Sequence, residues 1–400
     1  MPKLISRSLL LLSALLLPAG TASAAEFLLA GDLPGGDSGS RLDAVSADGE
    51  VAGGSSIIIT GNAGFAGSAP ALFTPTGGLV ALQDLPTVEQ GGINALDAIG
   101  ARAAGSAVIG LLPDGSNGPL PQAVLFDPAG NATILGDLWT GGDGASVATE
   151  LSADGSVVVG FGSTVEPTLT WRLGAIEGFV WSSTTGMVGI GNLPGYFQSS
   201  AVDVSADGSL VVGNAAVGIT GAAFLYDVAL ATRTDLGHLF PGAAFPSTGA
   251  IGISADGTTI IGTSSGDGQT RAFRWTAGGG IVDLDPGTTG TTEAFAMSSD
   301  GAFVLGRLNG EPARWDATNG FQRLTDLPGV AAVLPAGFGG NQLTDISDDG
   351  TIIVGYDPST FGEGFYLDVS PEVPGLALPG ALLLLGGAIA TGLRARTHAA

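Results

Sequence analysis

The chain has 400 residues, a formal net charge of −24, 68 glycines, 22 prolines and no cysteine. Without cysteine there are no disulfides, thiolate metal sites or cysteine nucleophiles, and the charge argues against nucleic acid and anionic headgroups as partners, since both need cationic side chains to neutralise phosphate. Glycine and proline at this density, with Val, Ile, Thr and Phe between them, predict an all-β chain of short strands and tight turns.

At the N-terminus Lys3 and Arg7 precede the apolar run Leu9 to Leu17, and Ala22-Ser23-Ala24 offers the small residues of a signal-peptidase site. Residues 1–24 therefore read as a secretory signal, with the mature chain starting near Ala25. The first predicted strand, Phe27 to Leu33, stands alone ahead of a repeat that fills the rest of the mature chain.

The repeat is marked by Ser-Ala-Asp-Gly, starting at Ser46, Ser152, Ser205 and Ser254, with near-copies at Ser298 and Ser347. A β-rich run follows each and ends in glycine six residues after the Asp, at Gly54, Gly160, Gly213, Gly262, Gly306 and Gly355. A seventh, degenerate copy is expected with Ala104-Gly105 in place of Asp-Gly and Gly110 closing the run. A third strand recurs as a small residue before aromatic or aliphatic ones, as in Gly178-Phe179-Val180-Trp181 and Ala272-Phe273-Arg274-Trp275, and a fourth ends in leucine.

Seven units of about fifty residues each, four strands to a unit, are the pattern of propeller blades. The last unit stops after its third strand near Val369, so Phe27 to Leu33 supplies the missing fourth and closes the ring. Residues 25–369 are thus expected to form one all-β, seven-bladed β-propeller, leaving no open sheet edge between first and last blades. The repeat resembles the extracellular HAF repeat, with Arg271-Ala272-Phe273 and Ile253-Ser254-Ala255-Asp256-Gly257 where that family has its His-Ala-Phe stretch and Ile-rich turn. The resemblance implies an exported repeat protein and no particular activity.

Beyond the repeat, Ser370-Pro371-Glu372-Val373-Pro374 leads into an apolar stretch from Leu376 to Leu393 closed by Arg394 and Arg396. Its length just suffices for a transmembrane helix, with the arginines on the cytoplasmic side. Residues 370–400 resemble the PEP-CTERM sorting signal, with Pro371, Glu372 and Pro374 as a variant of its motif. The resemblance implies an exosortase-type partner, an inner-membrane intermediate and delivery to the cell surface or beyond, in company with exopolysaccharide.

Candidate chemistry is sparse. The Asp-Gly pairs read as hairpin turns, because glycine tolerates the positive φ they need and the upstream serine can bond the turn. His238 is the one histidine between the terminal segments, so a Ser-His-Asp triad would rest on it alone. No cofactor is expected; calcium remains open through Asp32, Asp37, Asp143, Asp267, Asp283 and Asp285, which lie in or beside Gly-rich loops without EF-hand spacing. Carboxylate pairs for glycoside hydrolysis stay open as well, since their separation is a matter of tertiary structure.

If the strand before each Ser-Ala-Asp-Gly is innermost, the short turns share one face and the longer connections the other, around Ser55 to Pro70, Phe161 to Glu177 and Pro328 to Gln342. Trp139, Trp171, Arg172, Tyr196 and Phe245 lie in such connections and are the ligand-face candidates. Three functions stay in view: a non-catalytic propeller binding a glycan, matrix polymer or surface protein; a glycoside hydrolase or polysaccharide lyase using loop carboxylates; and a purely structural part.

Overall fold

A computed structural model describes residues 25–33, 39–59, 66–82, 88–109, 120–139, 144–164, 176–335, 338, 343–357 and 363–370. Asp-Gly hairpins and alternating strands assemble into seven antiparallel blades around an axis. The inner strands are Ser40–Val45, Val88–Leu96, Ser146–Leu151, Gln198–Val204, Ser247–Ile253, Thr292–Met297 and Leu343–Ile346 for blades one to seven. Each inner strand packs beside the next, and the last packs beside the first.

Blade seven takes its outer strand from the N-terminus, Glu26–Leu29, paired antiparallel with Glu363–Asp368. Phe27 secures it, stacking on Phe365 at 5.5 Å between ring centroids and meeting Phe338 edge-on at 6.0 Å. Blades one and two are further joined by a parallel bridge between Ser68 and Gln90.

The degenerate second copy lies elsewhere than expected. Its turn is Asp97-Ala98-Ile99-Gly100: Gly100 has φ +66° and donates to the Asp97 carbonyl, as Gly49 does to Ser46. Gly105 is then the run-ending glycine, paired with Ile93 and Val124 on its two sides. Asp97 substitutes for the turn serine, since its carboxylate accepts the Ala101 amide at 2.7 Å and closes the same loop. The longer connections are also more ordered than expected: strands reach Ile59 and restart at Ala66, and Val330–Val333 is one helical turn inside the stretch Pro328 to Gln342.

One irregularity recurs in all seven inner strands. Register shifts at Leu42/Ala44, Ile93/Ala95, Ala148/Glu150, Ala201/Asp203, Ala250/Gly252, Ala294/Ala296 and Leu343/Asp345 mark a β-bulge just before each turn. The bulge adds twist and turns main-chain groups out of the ladder. It also explains the run-ending glycine. A Cβ on Gly54, Gly105, Gly262 or Gly306 would overlap the carbonyl oxygen of Arg41, Gly92, Gly249 or Glu293 on the inner strand. In blades three to five the phenylalanine of the third strand lies opposite this glycine: Phe179, Phe224 and Phe273 are fully buried. Burial of each such ring contributes about 2–3 kcal/mol.

Candidate functional site

The two faces of the ring differ in kind. On the short-turn face each serine is buried and serves its turn three ways. Ser254 donates from Oγ to Asp256 at 2.7 Å, accepts the Thr259 amide at 2.9 Å, and accepts the Gly257 amide at its carbonyl. Ser46, Ser152, Ser205, Ser298 and Ser347 repeat the first two bonds. The repeated aspartates are therefore caps of their own hairpins. Four of them sit below the usual carboxylate range: Asp154, Asp207 and Asp256, led by a hydrogen bond from the Ser156 hydroxyl, the Ser209 amide and the Ser254 hydroxyl in turn, and Asp349, where burial is outweighed by bonds from Thr351 and Ser347.

The residue after each turn serine, or after Asp97 in blade two, faces the axis; six of the seven are Ala or Ser and the seventh is Asp348. Their main chains form a closed circle of hydrogen bonds between blades: Ala47 N–H donates to Ala98 O, Ala98 to Ala153, Ala153 to Ala206, Ala206 to Ala255 and Ala255 to Ser299. Ser299 N–H then donates to the Asp348 carboxylate at 2.8 Å, and Asp348 N–H returns to Ala47 O at 3.0 Å. Every amide in the circle points the same way round.

Behind this circle is an axial cavity of about 190 Å³. Aliphatic side chains line it together with Asp97, Glu150, Asp203, Asp345 and Asp348. Glu150, Asp203 and Asp345 occupy equivalent bulge positions and accept amides there: Leu151 N–H on Glu150, Val204 and Ile253 N–H on Asp203, and Ile346 and Val45 N–H on Asp345. Ile253 belongs to blade five and Val45 to blade one, so two of the three carboxylates bridge neighbouring blades.

Enclosure by the ring raises all three. Burial pushes Asp203 to about 6 against its two amide bonds. Burial likewise takes Asp345 to about 7 despite the Val45 and Ile346 amides, with Asp203 and Asp348 adding repulsion. Glu150 is pushed well up, first by burial and then by the Asp203 charge. Further out, Asp43 rises to about 6 through burial, opposed by the paired Arg41.

Among the described residues, no group of three or more His, Cys, Asp or Glu converges as for a metal ion. Of the calcium candidates, Asp32 accepts the Gly39 amide, Asp267 the Ala244 amide, Asp283 pairs with Arg271 and Asp285 holds Thr288 and Phe321. Asp37 and Asp143 lie outside the described residues. His238 bonds Thr248, which bonds the buried Ser264, and this chain locks the start of the blade-five inner strand.

On the long-connection face of blades two, three and five, the residue ahead of the small-aromatic motif holds the following connection. Arg271 reaches the carbonyls of Asp285, Thr288 and Gly290 and the Asp283 carboxylate, Glu177 accepts the Gly191 amide, and Gln122 donates to Gly144. All three tie down the connection leading to the next blade.

Of the ligand-face candidates, Phe245 is 62 % exposed. Tyr196 packs half-buried on the core between blades three and four, and burial, then Asp235, pushes its hydroxyl up. Trp139 is half-buried; its amide donates to Asp137, which also accepts the Gly144 amide across the loop. Trp171 and Arg172 lie outside the described residues, as do Pro371, Glu372, Pro374, Arg394 and Arg396. On this face the sequence reading passed over two exposed apolar side chains, Phe197 at 68 % and Ile219 at 76 %; Ile99 and Leu230 are as exposed in turns of the opposite face. Phe197 follows Tyr196 directly, and which of the pair packs inward depends on the neighbouring blade. Its amide donates to Ala216, at the end of the strand that turns through Ile219.

No family model matches the chain, and no curated protein matches its sequence. Among solved structures, an oligogalacturonate lyase from Vibrio parahaemolyticus superposes with a TM-score of 0.55 at 12% identity, covering 83% of this chain and 89% of that one. An oligogalacturonate lyase in complex with manganese gives 0.52 at 12% identity with the same coverage. The β-propeller domain of the Trilobed protease from Pyrococcus furiosus gives 0.49 at 8% identity, covering 88% and 97%. At such identities the likeness is one of fold: an all-β, seven-bladed propeller in which an N-terminal strand completes the last blade.

Proposed function

We propose that the chain is an exported, non-catalytic binding propeller of the cell surface or extracellular matrix, whose long-connection face takes a glycan. The observation that carries this reading is the set of exposed apolar side chains Phe197, Ile219 and Phe245, all in connections of that face in blades four and five. Aromatic rings left in water on a rigid scaffold are platforms for the C–H faces of sugar rings, and their fixed geometry costs little entropy on binding. With a formal net charge of −24, the protein favours a neutral or cationic polymer over a polyuronate.

The PEP-CTERM-like tail and the HAF-like repeat support the same destination, with an exosortase-type protease as sorting partner and a membrane contact through residues 376–393. Intact mass of the protein from its native host tests that part: a mature form retaining Arg394 and Arg396 would make the tail a lasting anchor and refute sorting.

A second reading takes the axial acids as a glycosidase pair, since Glu150 lies close enough to Asp203 for their charges to interact and burial raises both. A lyase acting on uronates fits less well, because the charged residues lining the cavity are all carboxylates. The two readings separate in one experiment on glycan arrays and the producer's own polysaccharide. Binding that falls at least tenfold in Phe197→Ala and Phe245→Ala, without turnover, supports the binding propeller. Release of reducing ends that stops in Glu150→Gln would replace it with the enzyme.

A further inference from the structure

The seam between blades seven and one is where the ends of the propeller meet, and an ionisable side chain crosses it. Asp345 Oδ2 accepts Val45 N–H at 2.8 Å, joining residues at opposite ends of the propeller. The other seam bonds use no ionisable donor in the carboxylate range: Thr344 Oγ1 to Leu42 O, Gly364 N–H to Ser40 Oγ, Tyr366 hydroxyl to Gly49 O, and the return of Asp348 N–H to Ala47 O. We propose that Asp345 is a pH-sensitive latch of the ring, holding the seam tightest when its carboxyl is protonated and loosening it when the carboxylate faces the axial cavity ionised.

The groups facing Asp345 make the ionised state costly. Blade two contributes Asp97 to the cavity wall, blade three Glu150, blade four Asp203 and its own turn Asp348, all acidic. Blades five and six contribute Ile253, Ala255, Met297 and Ser299, which carry no charge. Cations on the adjoining blades are committed elsewhere: Arg41 on the blade-one strand pairs with Asp43 and lies over Tyr356, Arg307 lies across from Glu293 at the far end of the blade-six strand, and Arg314 of blade six donates to Gly350 O. The neutral acid can keep the Val45 bond through its carbonyl oxygen while its hydroxyl oxygen faces the Ile346 amide; it gives up the charge assistance of both bonds, and in exchange removes one buried charge from a ring of like charges.

The carboxyl titrates near 3.8 when unfolded and at about 7 in the ring, so the native state binds more protons between these values and stability falls as pH rises through that window. Above it the loss is complete.

Thermal unfolding and hydrogen exchange of the purified protein from pH 5 to pH 8 test the latch, in ~0.5 M salt so that surface repulsion is screened to a few ångströms. The wild type is expected to lose more than about 4 °C between the two pH values, Asp43, Glu150 and Asp203 adding to the share of Asp345, with faster exchange in the segment holding Val45. Asp345→Asn, neutral throughout, should remove about 3–4 °C of that loss and leave the part due to Asp43, Glu150 and Asp203, whose carboxyls burial also raises, whereas Asp326→Asn, an exposed control at an ion pair with Arg323, should leave it unchanged. A full wild-type slope in Asp345→Asn overturns the proposal. Should that variant fail to fold, carboxyl titration of the wild type by NMR decides alone, and an Asp345 midpoint near 4 overturns it equally.

Discussion

Replacing Ser254 by alanine tests whether the ring unfolds as one unit. The residue is 1 % exposed, and its hydroxyl accepts the Thr259 amide at 2.9 Å and donates to Asp256 at 2.7 Å. Alanine leaves a buried N–H without its acceptor, which costs about 1–3 kcal/mol. If the whole propeller of about 350 residues melts together, an unfolding entropy near 2.1 cal/mol/K per residue amounts to about 0.7 kcal/mol/K, and Tm falls only about 1–4 °C. If blade five melted alone, about fifty residues would carry about 0.1 kcal/mol/K, and the same loss would move its transition by 10 °C or more, roughly, as in an open repeat array. Differential scanning calorimetry separates these outcomes. The circle of amides through Ala47, Ala98, Ala153, Ala206, Ala255, Ser299 and Asp348 couples each turn to the next, so one slightly shifted peak is expected. A separate early transition in Ser254→Ala, or no change at all, would refute the reasoning.

Three further substitutions probe the bulge and the N-terminal strand. Gly268→Ala meets open space at φ +78° and should cost about 1–2 kcal/mol for the left-handed conformation. Gly262→Ala drives a methyl into the Gly249 carbonyl and should cost at or above about 3 kcal/mol in urea unfolding, so equal costs would contradict the bulge as the cause. Phe27→Ala removes the stack on Phe365 and should cost about 2–3 kcal/mol. Hydrogen exchange should then show the strand Glu26–Leu29 fraying while Val45 stays protected, because the seam bonds of Ser40, Thr344 and Asp348 do not pass through it; simultaneous loss at Val45 would make that strand the sole fastener.

What could be read from the sequence was what contiguous residues decide. An Asp-Gly hairpin is specified by four neighbours, so the turn at Ser254 to Gly257 was legible, and counting such turns with the lone strand near Phe27 yielded seven blades and their closure. The signal is lost where the chemistry is substituted: in blade two Asp97 takes the serine's place and Ile99 the aspartate's, and without the dipeptide the turn lies several residues ahead of Ala104-Gly105. The role of the run-ending glycines was invisible too, because the atom that excludes a side chain belongs to the adjacent strand.

Only the tertiary structure decided which side chains share a space. Glu150, Asp203 and Asp345 sit on blades three, four and seven, and nothing local marks them as neighbours. A one-residue bulge before the turn aims each at the axis, and ring closure then puts them around one cavity. The long-connection face followed the same rule: Tyr196 and Phe197 are adjacent and similar in sequence, yet the core between blades three and four takes the first and leaves the second in water. Turn and strand identity are local and were written in the chain, whereas burial, like-charge crowding and exposure depend on groups far apart in sequence that only the closed ring brings together.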